Sequence, residues 1–475
     1  MHKIEVKGGV ISPGELKDIL NLAAQLELSY LHFGSRQDIL FSEKNANGEP
    51  IDKHSEFTEK EHFFSNHQNI TSSYVTTDIF KGTHWLRGST YLYVLEDFNY
   101  PSQLKINIVD PRQQLVPLFS GHLNFIASEI EDYWYLYLKL PQGEHGFYPV
   151  LLFTWDLAKI AVEIENTYKA KKYDINDLFQ LLNDNLATNN RIISEELQIK
   201  SSPFPYYEGM NKMEKGQYWL GLYWRNNQYD VQFLDQLCDF SIVHKIGKIC
   251  ITPWKSLIVK NIPALAKSEL ERLLGSSGIN IRHSSLELNW HLPVNDQKAL
   301  KLKKFLVADF DNRDISTYGI TFSIVNETSS KNFFTSIVIK NSQSELEKIH
   351  QLASSYTIWY AKNFNPNSRE YLVYAQDIDK EHLSSVLIEL TKAYFSQLSE
   401  DKTSKKYKPV QNEDLLSKDR YQCIHCKSIY DEDLGDPFQD ISKNTTFESL
   451  PDTYVCNLCE SPKDQFKKTP LNFVK

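Results

Sequence analysis

Cys423-Ile-His-Cys426 and Cys456-Asn-Leu-Cys459 stand near the end of a 475-residue chain as two tight cysteine pairs, separated by an aromatic and acidic stretch. Two Cys-x-x-Cys hairpins can close four thiolates tetrahedrally around one metal, a ligand set that iron or zinc commonly fills. On spacing alone the site is either a one-metal redox centre or a zinc ribbon, in which the cysteines are a staple with no redox role. A disulfide framework fits less well, because six cysteines in a long chain is not disulfide-dense usage. Tyr421, Tyr430, Phe447, Tyr454 and Phe466 are the aromatic residues expected to fill a small core beside the metal. A domain of about fifty residues buries little apolar surface, so metal ligation is expected to supply much of its folding energy.

The flanking residues run Tyr421-Gln-Cys-Ile-His-Cys, Tyr430-Asp431, Gly435-Asp436-Pro437, Phe447-Glu448-Ser-Leu450-Pro451-Asp452, Cys456-x-x-Cys459 and Lys463-Asp-Gln-Phe466. In that order they resemble rubredoxin, a one-iron electron-transfer module, across roughly residues 419–468. The resemblance implies a single iron ion (Fe2+/Fe3+) on Cys423, Cys426, Cys456 and Cys459, with backbone N–H groups bonded to the thiolates and tuning the potential. The chain departs from the family pattern at its glycines. Lys427 and Glu460 follow the second cysteine of each hairpin where Gly is usual, and Asp440 and Asn444 occupy two loop positions that are usually Gly. Asn457 stands in place of a usual Pro and Tyr454 in place of a usual Trp. A left-handed Lys or Glu costs ~1–2 kcal/mol. All four ligands are kept, so iron binding stands.

Length and composition, 41% apolar and 24% charged, are those of an ordinary globular protein with two to four domains. The net charge of −9 argues against a nucleic-acid partner, which calls for a basic face. Residues 419–475 hold ten Asp and Glu against seven Lys and Arg, and an acidic electron carrier favours a basic patch on its redox partner. The expected partners are redox proteins, a reductase donor and an acceptor oxidoreductase, with a nitrite or sulfite reductase among the candidates. The N-terminus reads as a strand and turn rather than a signal peptide, and the most hydrophobic segment, 149–162, is interrupted by Asp156 and Lys159 and too short to span a bilayer. These features, with reduced thiols at a metal site, predict a cytoplasmic protein. The polar, charged stretch 399–418 reads as a linker, leaving 419–470 as a tethered module.

Residues 1–398 contain a faint internal repeat. Leu16-Lys-Asp-Ile-Leu20 followed by Tyr30-Leu-His-Phe-Gly-Ser35-Arg36-Gln37-Asp38-Ile39 recurs as Phe233-Leu-Asp-Gln-Leu237 followed by Lys248-Ile-Cys-Ile-Thr252-Pro253-Trp254-Lys255-Ser256-Leu257, and a shift of 218 residues superposes Arg36-Gln37-Asp38-Ile39 on Trp254-Lys255-Ser256-Leu257. Each copy predicts a strand, an amphipathic helix and a second strand. Gly9-Val-Ile-Ser-Pro-Gly-Glu-Leu with Ser35-Arg-Gln-Asp-Ile, and Ile251-Thr-Pro-Trp-Lys-Ser-Leu-Ile-Val, look like the two ferredoxin-like half-domains of sirohaem nitrite and sulfite reductases. The resemblance implies an α+β protein with two ferredoxin-like half-domains (near 1–90 and 215–295) alternating with two α/β core domains (near 100–200 and 298–398), ahead of the small iron-binding domain. A helix is expected around Leu346, Ile349, Leu352 and Ala353.

Those reductases hold an iron–sulfur cluster and sirohaem through four cysteines in two close groups. Outside the tail this chain has only Cys238 and Cys250, which read as buried apolar residues, and the stretch 283–291 has none. This argues against sirohaem and a 4Fe-4S cluster here. Arg36 matches the basic residue that the reductases point at sirohaem and its anionic substrate, and Lys255 takes the related place in the second copy; each is a candidate for an anion or tetrapyrrole, with a solvated strand-start cation as the alternative. His54, His62 and His67 with Glu59 and Glu61 form a histidine-rich stretch whose spacing fits no helical metal pair. No phosphate-cradling glycine loop or nucleophile elbow occurs. The expected protein is therefore an electron carrier, uncertain as an enzyme, with a reductase-like enzyme or docking subunit fed by its own tail as the alternative.

Overall fold

A computed structural model of the chain describes residues 1–42, 69–141, 145–170, 174–199, 202–326, 333–341, 355–404, 420–430, 432 and 435–469. They divide into two compact units, Met1–Met210 with Trp219–Tyr394, and Asn211–Tyr218 with Phe395–Lys475. The histidine-rich stretch and the helix expected around Leu346 lie outside the described residues.

The internal repeat holds residue for residue. Helices Pro13–Gln25 and Val231–Val243 each have 13 residues and start 218 residues apart. Each begins on a capping side chain that accepts an N–H bond, Ser12 from Glu15 and Asp230 from Phe233; Glu15 returns the bond to complete a capping box. Each ends by the same device. Glu27 (φ 53) and Lys245 (φ 57) turn left-handed, and Leu28 N–H then reaches Ala23 O at 2.9 Å as Ile246 N–H reaches Ser241 O at 2.8 Å. The following turns also match. Gly34 N–H bonds Asp38 O (2.9 Å) as Thr252 N–H bonds Ser256 O (2.9 Å), with Gln37 and Lys255 both at φ 59.

The two half-domains exchange a strand. Val10–Ile11, which precedes the first helix, pairs antiparallel with Ile249–Ile251 of the second copy, and Tyr229–Asp230, which precedes the second helix, pairs with Tyr30–Phe33 of the first. The helices pack against one another, burying Leu16, Ile19, Leu20 and Ala23 of one and Phe233, Leu234, Leu237 and Phe240 of the other. Neither half can close its sheet alone.

The two cores repeat a topology too. In the first, Ile70–Ser72, Ile106–Val109 and Leu123–Ala127 are parallel neighbours, and Tyr133–Lys139 and Val150–Phe153 continue antiparallel. In the second, Trp290–His291, Phe322–Val325 and Ile337–Asn341 are parallel, followed antiparallel by Ser355–Ala361 and Tyr371–Asp379. Helices Gly88–Asp97 and Gln297–Asn312 make the first parallel crossovers, and Leu157–Ala170 and Lys380–Ser404 follow the last of these antiparallel strands. The half-domain and core order expected from the sequence is therefore the observed one. Two boundaries shift. Ile70–Ser72 and Trp290–His291 belong to the core sheets, inside stretches read as half-domain, because two or three buried residues give too short a pattern to recognise. The last helix runs to Ser404, through the first residues of the stretch read as a linker, because charged residues form helix as readily as coil.

One side chain ties the copies together. The Gln37 amide nitrogen donates to Ser72 O (3.1 Å) and Ile251 O (2.8 Å), and its oxygen accepts from Ser72 N–H (2.8 Å), all fully buried. Gly9 (φ 69) lies against it, and a Cβ there would come within 2.5 Å of the Gln37 side chain. Replacing Gln37 by Met keeps its length and removes its polar contacts. We predict that Gln37→Met lowers unfolding free energy by about 2 kcal/mol in denaturant melts, since it strands the buried Ser72 N–H. A variant as stable as the parent would refute the bridge.

Candidate metal centre

The tail builds its site from two copies of one hairpin. Cys423 N–H bonds Ser428 O (2.8 Å) and Lys427 N–H bonds Cys423 O (3.0 Å); in the second copy Cys456 N–H bonds Ser461 O (2.7 Å) and Glu460 N–H bonds Cys456 O (2.8 Å). The positive φ of Lys427 (63) and Glu460 (60) makes both turns possible, and Asp440 (58) and Asn444 (64) are left-handed as well. All four positions where the family usually has Gly thus adopt the conformation that Gly provides, at a steric cost. The first hairpin is carried on a three-stranded sheet in which Arg420–Cys423 lies between Ile429–Tyr430 and Phe466–Thr469.

Behind the cysteines, Tyr430, Phe447, Leu450, Tyr454 and Phe466 form a buried cluster with Cys423 and Cys456, and Tyr421, Cys426 and Ile441 pack on it. Tyr421 stacks on Phe447 at 4.1 Å between ring centroids, and its hydroxyl meets Glu448. The five aromatic residues expected around the metal are all there. Asn457, in place of the usual Pro, accepts from Gln439 Nε2 at 2.7 Å, and the same nitrogen bonds Val455 O and Asp436.

The four sulfur atoms lie within 4.8 Å of one another. Cys423 Sγ is 3.5 Å from Cys459 Sγ, and Cys426 Sγ is 3.4 Å from Cys456 Sγ. Bonds of ~2.3 Å to a central ion give a tetrahedral edge of roughly 3.8 Å, so the set fits one tetrahedral metal and is far too open for disulfides. The Ser428 hydroxyl and backbone N–H hold the Cys426 thiol down to about 6, backbone N–H groups from Cys426 and His425 lower Cys423, and burial pushes Cys456 up to about 11. Cys423 and Cys456 are buried, Cys426 is half-buried and Cys459 is exposed. Leu458 and Ile429, next in sequence to Cys459 and Ser428, are exposed.

The two basic candidates, Arg36 and Lys255, belong to the other compact unit. Arg36 donates through Nε to Asn69 Oδ1 (2.8 Å), through Nη1 to Asn107 Oδ1 (2.5 Å), and through Nη2 to the carbonyls of Asn69 (2.9 Å) and Ile106 (2.8 Å). Its fork therefore clamps the first strands of the first core. Lys255 is buried and donates to Leu292 O; burial, reinforced by Lys303, brings its pKa to about 7. It lines a small cavity of about 40 Å³ with Tyr223, Trp224, Arg225, Trp290 and Leu300.

Residues 420–466 match the rubredoxin family model. The same region is 46% identical over 54 residues to the probable rubredoxin-2 of Methanocaldococcus jannaschii, covering 11% of this chain and 96% of that protein. It is 42% identical over 50 residues to rubredoxin-2 of Chlorobaculum tepidum, covering 10% of this chain and 96% of that one. A match to the high molecular weight rubredoxin of Moorella thermoacetica, 31% identical over 84 residues, covers 17% of this chain and 37% of that protein. The chain belongs to the rubredoxin family through this C-terminal domain, which makes electron transfer at an iron tetrathiolate its expected chemistry. Over 82% of its length the chain is similar in fold to 80% of the solved structure of the Mycobacterium tuberculosis NirA protein, with a TM-score of 0.57 at 12% identity. No helix among the described residues is long and apolar enough to cross a membrane.

The two strained turns give a direct test. Lys427→Gly and Glu460→Gly should each stabilise the metal-loaded tail by about 1 kcal/mol, read as slower metal loss to a chelator. Faster loss in either variant would show that the side chain has a compensating role.

Proposed function

We propose that the protein is a one-electron carrier whose iron is held by Cys423, Cys426, Cys456 and Cys459, on a NirA-like body that lacks the ligands for sirohaem and an iron–sulfur cluster. The observation that supports it most is the tetrahedral grouping of four sulfurs inside a rubredoxin-family domain. Iron there supplies a one-electron couple without a change of coordination. The chain's own contribution is to hold the sulfurs rigidly by paired hairpins, to shield Cys423 and Cys456 from water, and to leave Cys459 at the surface, where an electron has a short path to a partner.

For the body, the reading rests on chemistry. Cys238 lies inside a helix and Cys250 inside a strand, both with no exposed surface. Burial raises the first thiol to about 12 and raises the second as well, which is the behaviour of apolar packing residues rather than ligands. Partners would be a reductase donor and an acceptor oxidoreductase presenting basic surface, and the setting the cytoplasm. The NirA-like fold favours a second reading, in which the body is a reductase-like enzyme or docking subunit acting on nitrite, sulfite or a similar anion and fed by its own tail.

Purified from iron-replete cells that make sirohaem, the full chain should carry one iron and show thiolate-to-iron absorption with no tetrapyrrole bands. Stoichiometric zinc in a colourless protein would overturn the carrier, and extractable tetrapyrrole would establish the second reading instead. Cys459→Ser should lose most of its iron while the body's melting transition stays in place, because ligation stabilises only the unit that binds.

A further inference from the structure

The two hairpins share more than their cysteines. Each reads Cys-x-x-Cys-x-Ser, with Ser428 two residues after Cys426 and Ser461 two residues after Cys459. Ser428 Oγ lies 3.2 Å from Cys426 Sγ and 3.0 Å from Cys456 Sγ. Ser461 Oγ lies 3.1 Å from Cys459 Sγ. Both serines are half-buried. Three of the four sulfurs are therefore within reach of a hydroxyl, in addition to the backbone N–H groups that the hairpin fold supplies.

The direction of these bonds follows from the ligand set. A metal-bound thiolate has no proton and can only accept, so the serine hydroxyl is the donor in every one of these contacts. A hydroxyl has one hydrogen, so Ser428 divides its donation between Cys426 and Cys456. Four thiolates around Fe3+ carry a net charge of −1, and around Fe2+ a net charge of −2. A donor stabilises the more negative form more, which raises the reduction potential.

We propose that Ser428 and Ser461 are tuning residues that donate hydroxyl hydrogen bonds to the metal-bound thiolates and make the centre easier to reduce. This rests on the electron-carrier reading above and adds to it a determinant of the potential beyond the backbone donors. Ser428 faces the buried Cys456 and Ser461 the exposed Cys459, so water competes less at the first and its effect is the larger.

The test is a reductive titration of the iron-loaded full chain and its variants, followed by visible absorption. Ser428→Ala should weaken reduction about tenfold, a fall of 59 mV for a one-electron couple. Ser461→Ala should act in the same direction by a smaller factor. Ser428→Thr and Ser461→Thr keep the hydroxyl and should return toward the parent potential. The thiolate-to-iron bands should move to lower energy in the Ala variants, because a thiolate without its donor gives up charge more readily. Unchanged potentials and bands in both iron-loaded Ala variants would overturn the proposal and leave the carrier reading intact. A parent chain that takes up zinc and no iron would overturn both. Should Ser428→Ala fail to load, Ser461→Ala decides by itself: a lower potential supports the proposal and an unchanged one rejects it.

Discussion

The carboxamide of Gln37 joins a turn of the first half-domain, the opening strand of the first core and a strand of the second half-domain, through three hydrogen bonds in a site with no water access. That bridge is the point from which the body's organisation follows. The neighbouring backbone must come close, which only the side-chain-free Gly9 allows, and Gln37 must turn left-handed to aim its amide inward. A buried amide that lost one partner would forfeit more than a single bond, because the partner group would remain stranded. The exchanged strands Val10–Ile11 and Tyr229–Asp230 also join the two half-domains.

Cations are handled differently across the body. Lys260 is buried beneath Tyr74, with its ammonium 4.2 Å from the ring centroid and bonded to the carbonyls of Tyr74 and Thr77. Lys303 is paired with Glu287 at 3.0 Å and with the Tyr223 hydroxyl at 2.6 Å, and burial still lowers its pKa to about 8. Arg36 is spent on carbonyl and amide oxygens. These are structural uses of charge, each satisfied within the fold. The tail inverts the pattern, gathering four groups that repel one another when ionised and that only a cation can reconcile.

That contrast explains where strain is tolerated. The tail keeps Lys427, Asp440, Asn444 and Glu460 in left-handed positions because ligation and the aromatic cluster around Phe447 outweigh the steric cost. A domain of this size with no metal would have little to set against it.

The sequence by itself determined the candidate ligand set, the aromatic core beside it, the two half-domain helices and their offset of 218 residues. The helices and the two hairpins are local patterns, carried by spacing or periodicity within a few turns of chain, and the offset comes from matching one such pattern to another. Only the tertiary structure decided that the half-domains exchange strands, that Arg36 faces Asn69 and Asn107, and that two serine hydroxyls reach three sulfurs. Cys-x-x-Cys-x-Ser was visible twice in the chain, yet a serine two residues past a cysteine is usually a solvated turn residue. Which way its hydroxyl points depends on how residues 423–428 and 456–461 close around a common centre, and that closure is set by contacts some thirty residues apart.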